Sequence, residues 1–176
     1  YYGAQNEKKI HQAVHTSYIL AIVSGILMML FGLFFSYQCL DAIGTPHDIL
    51  NDATLYMQLY FLCMIPGAIY NIGAGILRAV GDSKRPLYYL IVCSIVNVVF
   101  DFIFVVIFHQ GIAGAAIATV IAQFVCAVLV TIQLMRTEEV YKLTLSKMKF
   151  HLPVLKKIIM IGAPAGIQST MYSISN

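Results

Sequence analysis

"PLYYLIVCSIVNVVFDFIFVVIF", residues 86 to 108, carries a single charged side chain, Asp101. A helix needs about 20 apolar residues to cross the ~30 Å hydrocarbon core of a bilayer, and this stretch is that long. It is not alone, because residues 10 to 40, 53 to 77, 102 to 135 and 158 to 176 contain no Asp, Glu, Lys or Arg at all. Lipid offers the backbone no hydrogen-bond partner, so only helices and closed barrels span it. Barrel strands alternate apolar and polar residues, and these runs do not. The fold class that follows is all-α, a polytopic transmembrane helix bundle.

Composition agrees with that reading. Of the 176 residues 60% are hydrophobic and 11% charged, and the mean hydropathy is +0.81, which does not suit a water-facing surface. The spans fall at about 17 to 40, 53 to 77, 86 to 108 and 112 to 135, with a fifth starting at 158. Residues 1–136 then form a partial N-terminal bundle, 137–157 a connector, and 158–176 the start of a second bundle. Tyr1-Tyr2-Gly3 lacks an initiator Met and Asn176 falls inside an apolar run, so the chain reads as an excerpt of a longer protein.

Charge fixes the orientation. With these spans, all 11 basic residues fall on one side of the membrane, in the loops 1–9, 78–86 and 136–157, while the opposite loops carry Asp41, Asp48 and Asp52. The positive-inside rule places the basic loops in the cytoplasm of a multi-pass plasma-membrane protein. Lys142, Lys147 and Lys149 read as solvated or headgroup-facing, and no nucleic-acid partner is expected. In the loop after the second span, Gly81 suits a left-handed helix stop, Asp82 or Ser83 a cap, and Pro86 a first turn. The outer turn at His109-Gln110-Gly111 is so short that the spans on either side must be antiparallel neighbours.

An ionisable group inside a span is costly and faces a protein interior or a watery cavity, which singles out Asp101. Ser94, Asn97 and Asp101 form a polar stripe on one helix face. Counting back from the turn puts Thr119 level with Asp101 and Gln123 level with Asn97, while Gly114, Ala118 and Ala122 make a strip of small residues that lets the helices approach. Asp101, Asn97 and Thr119 are therefore the candidate cation or proton site. The competing reading is a hydrogen-bonded packing carboxyl, or one wetted at the outer interface.

Weaker signals surround it. Pro66 inside the second span marks a hinge or kink, and Tyr70 and Asn71 follow within about a turn as possible cavity-lining residues, with Gln123 and Ser94. Asn71 serves equally well as a bond between helices. His11 and His15 have the i, i+4 spacing of a metal pair but no third ligand, so they read as solvated, and no metal is expected. Cys39, Cys63, Cys93 and Cys126 lack any C-x-x-C spacing and read as small buried hydrophobes. No catalytic order or phosphate loop occurs, so no enzyme activity and no cofactor are expected.

Gly75-Ile76-Leu77-Arg78-Ala79-Val80-Gly81-Asp82-Ser83-Lys84-Arg85-Pro86-Leu87, then Asn97-Val98-Val99-Phe100-Asp101, then Gly114-Ala115-Ala116-Ile117-Ala118-Thr119, resembles the fourth to sixth helices of the multidrug and toxic compound extrusion (MATE) transporters. Tyr1-Tyr2-Gly3-Ala4-Gln5-Asn6 and Gly44-Thr45-Pro46 resemble the loops around the family's third helix, and Gly162-Ala163-Pro164-Ala165-Gly166 the start of its seventh. The resemblance implies a partial first six-helix lobe of a twelve-helix fold that exports cationic, often aromatic drugs or toxic compounds in exchange for Na⁺ or H⁺ as coupling ion. It also implies that Asn97, Asp101 and Thr119 belong to the first lobe's ion site, to which a helix outside this chain adds a further acid. The expected partners are the lipid bilayer, small cationic organic substrates and the remainder of the same chain, its second bundle. The alternatives are a lipid-linked oligosaccharide flippase of the same superfamily, for which a span bearing Arg would be expected, and a non-transporting membrane scaffold subunit.

Overall fold

A computed structural model describes residues 7–144 and 149–175. Residues 1–6 of the first basic loop, Lys147 of the connector and Asn176 lie outside them. All regular structure among the described residues is helical: α1 (Glu7–Ala42), α2 (His47–Phe61), α3 (Met64–Ala79), α4 (Lys84–Asp101), a π-helical stretch (Phe102–Ile107), α5 (Gly111–Arg136) and α6 (Leu152–Ser175). Among the described residues, four helical segments are long and apolar enough to cross a membrane: Glu7–Ala42, His47–Ala79, Lys84–Ile107 and Gly111–Arg136. The outside of the bundle is apolar, with Phe34 70% exposed and Leu27, Val98 and Phe124 similarly bare, as expected of a surface solvated by lipid.

The helix from His47 to Ala79 is one span broken into α2 and α3 at Leu62 and Cys63. Proline physics sets the place. Pro66 has no N–H to give the Leu62 carbonyl and its ring would clash with it. The amides of Leu62 and Cys63 bond three residues back, to Leu59 and Tyr60 at 3.1 and 3.0 Å, and the α-helical pattern resumes with Gly67 N–H on the Cys63 carbonyl at 2.8 Å. The interruption thus lies one turn before Pro66. Gly25 of α1 packs into it so closely that a Cβ there would stand 2.8 Å from the Ile65 Cα.

Small residues set the packing elsewhere too. The buried face of α1 includes Thr16, Ala21, Gly25, Gly32 and Ser36. On α5 the buried positions 114, 118, 122, 126, 130 and 134 form a four-residue ridge. Its Ala122 and Cys126 pack on Cys93 of α4, and its Val130 and Leu134 join a core with Tyr18 of α1 and Leu77 of α3. At the loop between α3 and α4, Gly81 takes φ +91°, and the amides of Gly81 and Asp82 bond the carbonyls of Arg78 and Leu77 in a Schellman stop. The Asp82 carboxylate then accepts the Arg85 backbone N–H at 3.2 Å, which makes it the cap of α4.

The end of the bundle that carries the basic loops differs from the sequence reading. Helix α1 begins about ten residues before the expected span, because Ile10, Val14 and Tyr18 are buried against α3, α5 and the connector residues Tyr141 and Leu143. His15 is 1% exposed, so the solvated reading is corrected. Its Nδ1–H donates to the His11 carbonyl at 2.7 Å, and its Nε2 accepts the Thr144 N–H at 3.1 Å. The first part of the connector is therefore bound to the bundle rather than free in water.

Candidate functional site

Asp101 is the last residue of α4 before the helix widens to π geometry over Phe102–Ile107. The π pattern is explicit in the Phe108 amide, which bonds the Ile103 carbonyl five residues back at 3.0 Å. Such stretches tend to occur at functional sites, and this one adjoins the only acidic residue in the membrane-spanning stretch 86 to 108. Gly114 permits it to lie against α5, because a Cβ at Gly114 would come within 3.0 Å of the Phe104 Cβ.

Asn97 Nδ2 donates to Thr119 Oγ1 at 3.4 Å, and the Thr119 hydroxyl donates in turn to the Ala115 carbonyl at 3.0 Å. This contact corrects the register counted from the sequence, which put Asn97 opposite Gln123. A π stretch rises less per residue than an α-helix, so Phe102–Ile107 brings the residues of α4 before it nearer the start of α5, which is the direction of this shift, although six residues contribute only part of a turn. Asn97 uses its amide N–H₂ toward Thr119, which leaves its carbonyl oxygen as an acceptor. Asp101, one turn further along α4, is half-buried, and its Oδ1 is buried with no hydrogen-bond partner. A buried carboxylate oxygen without a donor is costly. A carboxylate, an amide carbonyl and a hydroxyl on two adjoining helices make a donor set suited to a small hard cation or a proton.

Further along the same two helices lies a cavity of about 590 Å³ between α1, α2, α3, α4 and α5. Tyr70, Asn71 and Gln123 line it, together with Tyr60, Met28 and Met64, and none of the lining residues is charged. Asn71 bonds the Gly67 carbonyl of its own helix at 2.9 Å, so it faces the cavity without tying two helices together. Tyr70 also donates to the Pro86 carbonyl at 3.0 Å, linking α3 to the first turn of α4. Ser94 lies on an exposed face of α4 and Pro66 faces a separate apolar groove, so neither is part of this wall. Asp101, Asn97 and Thr119 do not line the cavity either. Asn97 and Thr119 stand one turn away along the two walls, four residues from Cys93 and Gln123 of the lining, and Asp101 stands a further turn along α4. The cysteines are what residue-type reasoning undervalued, for Cys63 at the α2–α3 break, Cys93 of α4 and Cys126 of α5 all reach this one cavity.

Residues 1–103 match the family model described as MatE. The chain is 26% identical over 181 residues to "Probable multidrug resistance protein YoeA" of Bacillus subtilis, covering 99% of this chain and 39% of that protein. It is 31% identical over 143 residues to "Probable multidrug resistance protein YpnP" of the same organism, covering 78% of this chain and 30% of the relative. Among solved structures, it superposes with a TM-score of 0.88 and 25% identity on the outward-facing conformation of a multidrug resistance MATE family transporter, over 98% of this chain and 38% of the other. The inward-facing conformation of such a transporter gives a TM-score of 0.82 at 27% identity, over 93% and 37%. The chain thus spans less than half the length of the proteins it matches.

Proposed function

The chain belongs to the MatE family of membrane transporters, and we propose that it forms the ion-coupling part of a secondary antiporter that exports cationic, often aromatic compounds in exchange for Na⁺ or H⁺. One observation carries this reading: the unpartnered, buried Oδ1 of Asp101, one helical turn beyond an Asn97–Thr119 pair that itself lies one turn from a large uncharged cavity. An ion bound there compensates the carboxylate, and leaving uncompensates it. Because the two states differ in charge inside a low-dielectric environment, they bias the packing of α4 on α5 differently, and that difference is what an antiporter must have.

The cavity supports the substrate class. Tyr60 and Tyr70 offer aromatic faces to a flat cation, and the thioethers of Met28 and Met64 adapt to varied shapes. The broken span at Leu62 and Cys63 supports a flexing element in the cavity wall. In this reading the basic loops face the cytoplasm, the membrane is the plasma membrane, and a second bundle of the same chain closes the other side of the cavity. The family match and the lack of an Arg within the charge-free spans favour this over a flippase of oligosaccharide lipids.

The test is transport by the full-length protein in proteoliposomes, with ethidium as the cationic aromatic substrate and Na⁺ and H⁺ gradients imposed separately. One of the two gradients is expected to drive accumulation against the substrate gradient. Transport that ignores both would refute ion coupling.

A further inference from the structure

Cys93 of α4 and Cys126 of α5 pack together in one buried cluster with Ala122, and both line the cavity. Their hydrogen bonds are reciprocal. The Cys93 thiol donates to the Ala122 carbonyl at 2.8 Å, one turn before Cys126, and the Cys126 thiol donates to the Tyr89 carbonyl at 3.6 Å, one turn before Cys93. Each S–H proton is thus directed at the opposite helix's backbone, which leaves the sulfur lone pairs uncommitted. Both residues are free thiols. Between them they supply two soft donors on adjoining helices, with about 590 Å³ of uncharged space alongside. Among the described residues no group of three or more His, Cys, Asp or Glu side chains gathers as a metal site, so the pair suits a ligand that needs two sulfurs and no third donor.

We propose that Cys93 and Cys126 form a dithiol site for trivalent organoarsenicals in the cavity wall, independent of the ion-coupling reading. With an arylarsine oxide the step balances without redox chemistry. Two S–As bonds form, the As–O linkage is broken, and both thiol protons leave on the oxygen as one water, arsenic remaining trivalent. The aryl group takes up the uncharged cavity beside Tyr70 and Met64. The product staples α4 to α5 one turn from Asn97 on α4 and two turns from Thr119 on α5.

The second sulfur reacts within the same protein, so its effective concentration makes the bridge far tighter than a single thiol adduct, by about 100-fold or more. The experiment treats the full-length protein in membrane vesicles with phenylarsine oxide, washes with a monothiol, and maps arsenic by mass spectrometry. The expected result is one phenylarsine joining the peptide that contains Cys93 to the peptide that contains Cys126, resistant to the monothiol and released by 2,3-dimercaptopropanol. Cys93→Ala and Cys126→Ala should each lower retention through the wash by about 100-fold, whereas Cys39→Ala and Cys63→Ala should retain the bridge. The unsubstituted protein decides the matter even where a variant inserts poorly. Arsenic bridged through Cys63, or no bridged peptide pair at all, would overturn the assignment.

Discussion

Replacing Thr119 by Val separates the ion-binding role of its hydroxyl from its packing role, because the two side chains share a branched shape and differ at one oxygen. The structure assigns that oxygen two bonds, a long 3.4 Å contact from Asn97 and a 3.0 Å bond to the Ala115 carbonyl. The first is near the limit of hydrogen-bond geometry, and the second duplicates a carbonyl that helical bonding serves anyway, so the loss of fold stability should be about 1 kcal/mol or less. An oxygen facing a bound cation is worth more, on the order of 1.5–3 kcal/mol by analogy with hydrogen bonds to charged groups. That corresponds to roughly a 10- to 100-fold weaker apparent affinity for the coupling ion. The assay is the ion-concentration dependence of efflux by the full-length protein in proteoliposomes, alongside its thermal midpoint. Thr119→Val should shift the ion dependence and leave the midpoint almost unchanged, and Thr119→Ser should restore the dependence. A Val variant with normal ion dependence, or a Ser variant as impaired as Val, would refute the role given to this hydroxyl.

Gly25→Val places a branched side chain against the backbone of Met64 and Ile65, which cannot step aside as a side-chain tip would; it should cost about 1–3 kcal/mol and lower the thermal midpoint. Equal midpoints for the two proteins would mean that α1 does not pack into the α2–α3 break as described. His15→Leu keeps most of the volume but removes two hydrogen bonds and orphans the Thr144 amide, a loss of about 2–3 kcal/mol, visible as a lower midpoint and faster proteolysis of the connector. Unchanged proteolysis there would count against the anchoring of the connector. Pro66→Ala supplies the missing N–H to the Leu62 carbonyl and should extend the helix through the break, slowing amide exchange at residues 62 to 65; exchange there as fast as in the parent would show that the break has another cause.

Much of the architecture could be read from charge alone. Lipid excludes charged side chains so strongly that the four spans appear as stretches with no Asp, Glu, Lys or Arg beyond the single Asp101, and every basic residue falls outside them. The pairing of α4 with α5 followed from the short turn at His109, and the interest of Asp101 from the cost of placing a carboxyl in a span. The details that escaped are those set by packing rather than by solvent. Nothing in Phe102–Ile107 announces a π-helical stretch, since all six residues are apolar and none is Gly or Pro. Its effect on register depends on Gly114, on another helix. Helix α1 runs past the lipid boundary because Tyr141 and Leu143 of the connector fold back onto it, a long-range contact that hides His15 in a segment whose lysines look solvated. The cysteines showed no motif because their grouping arises in space, from α4, α5 and the break between α2 and α3.

The central claim is that the Asp101 carboxylate binds the coupling ion, and Asp101→Asn is its most direct test, since the amide preserves shape and removes the charge. Ion-driven efflux by the full-length protein in vesicles should be abolished, with membrane insertion largely intact. Ion-driven efflux that persists at the parental level in this variant would contradict the account.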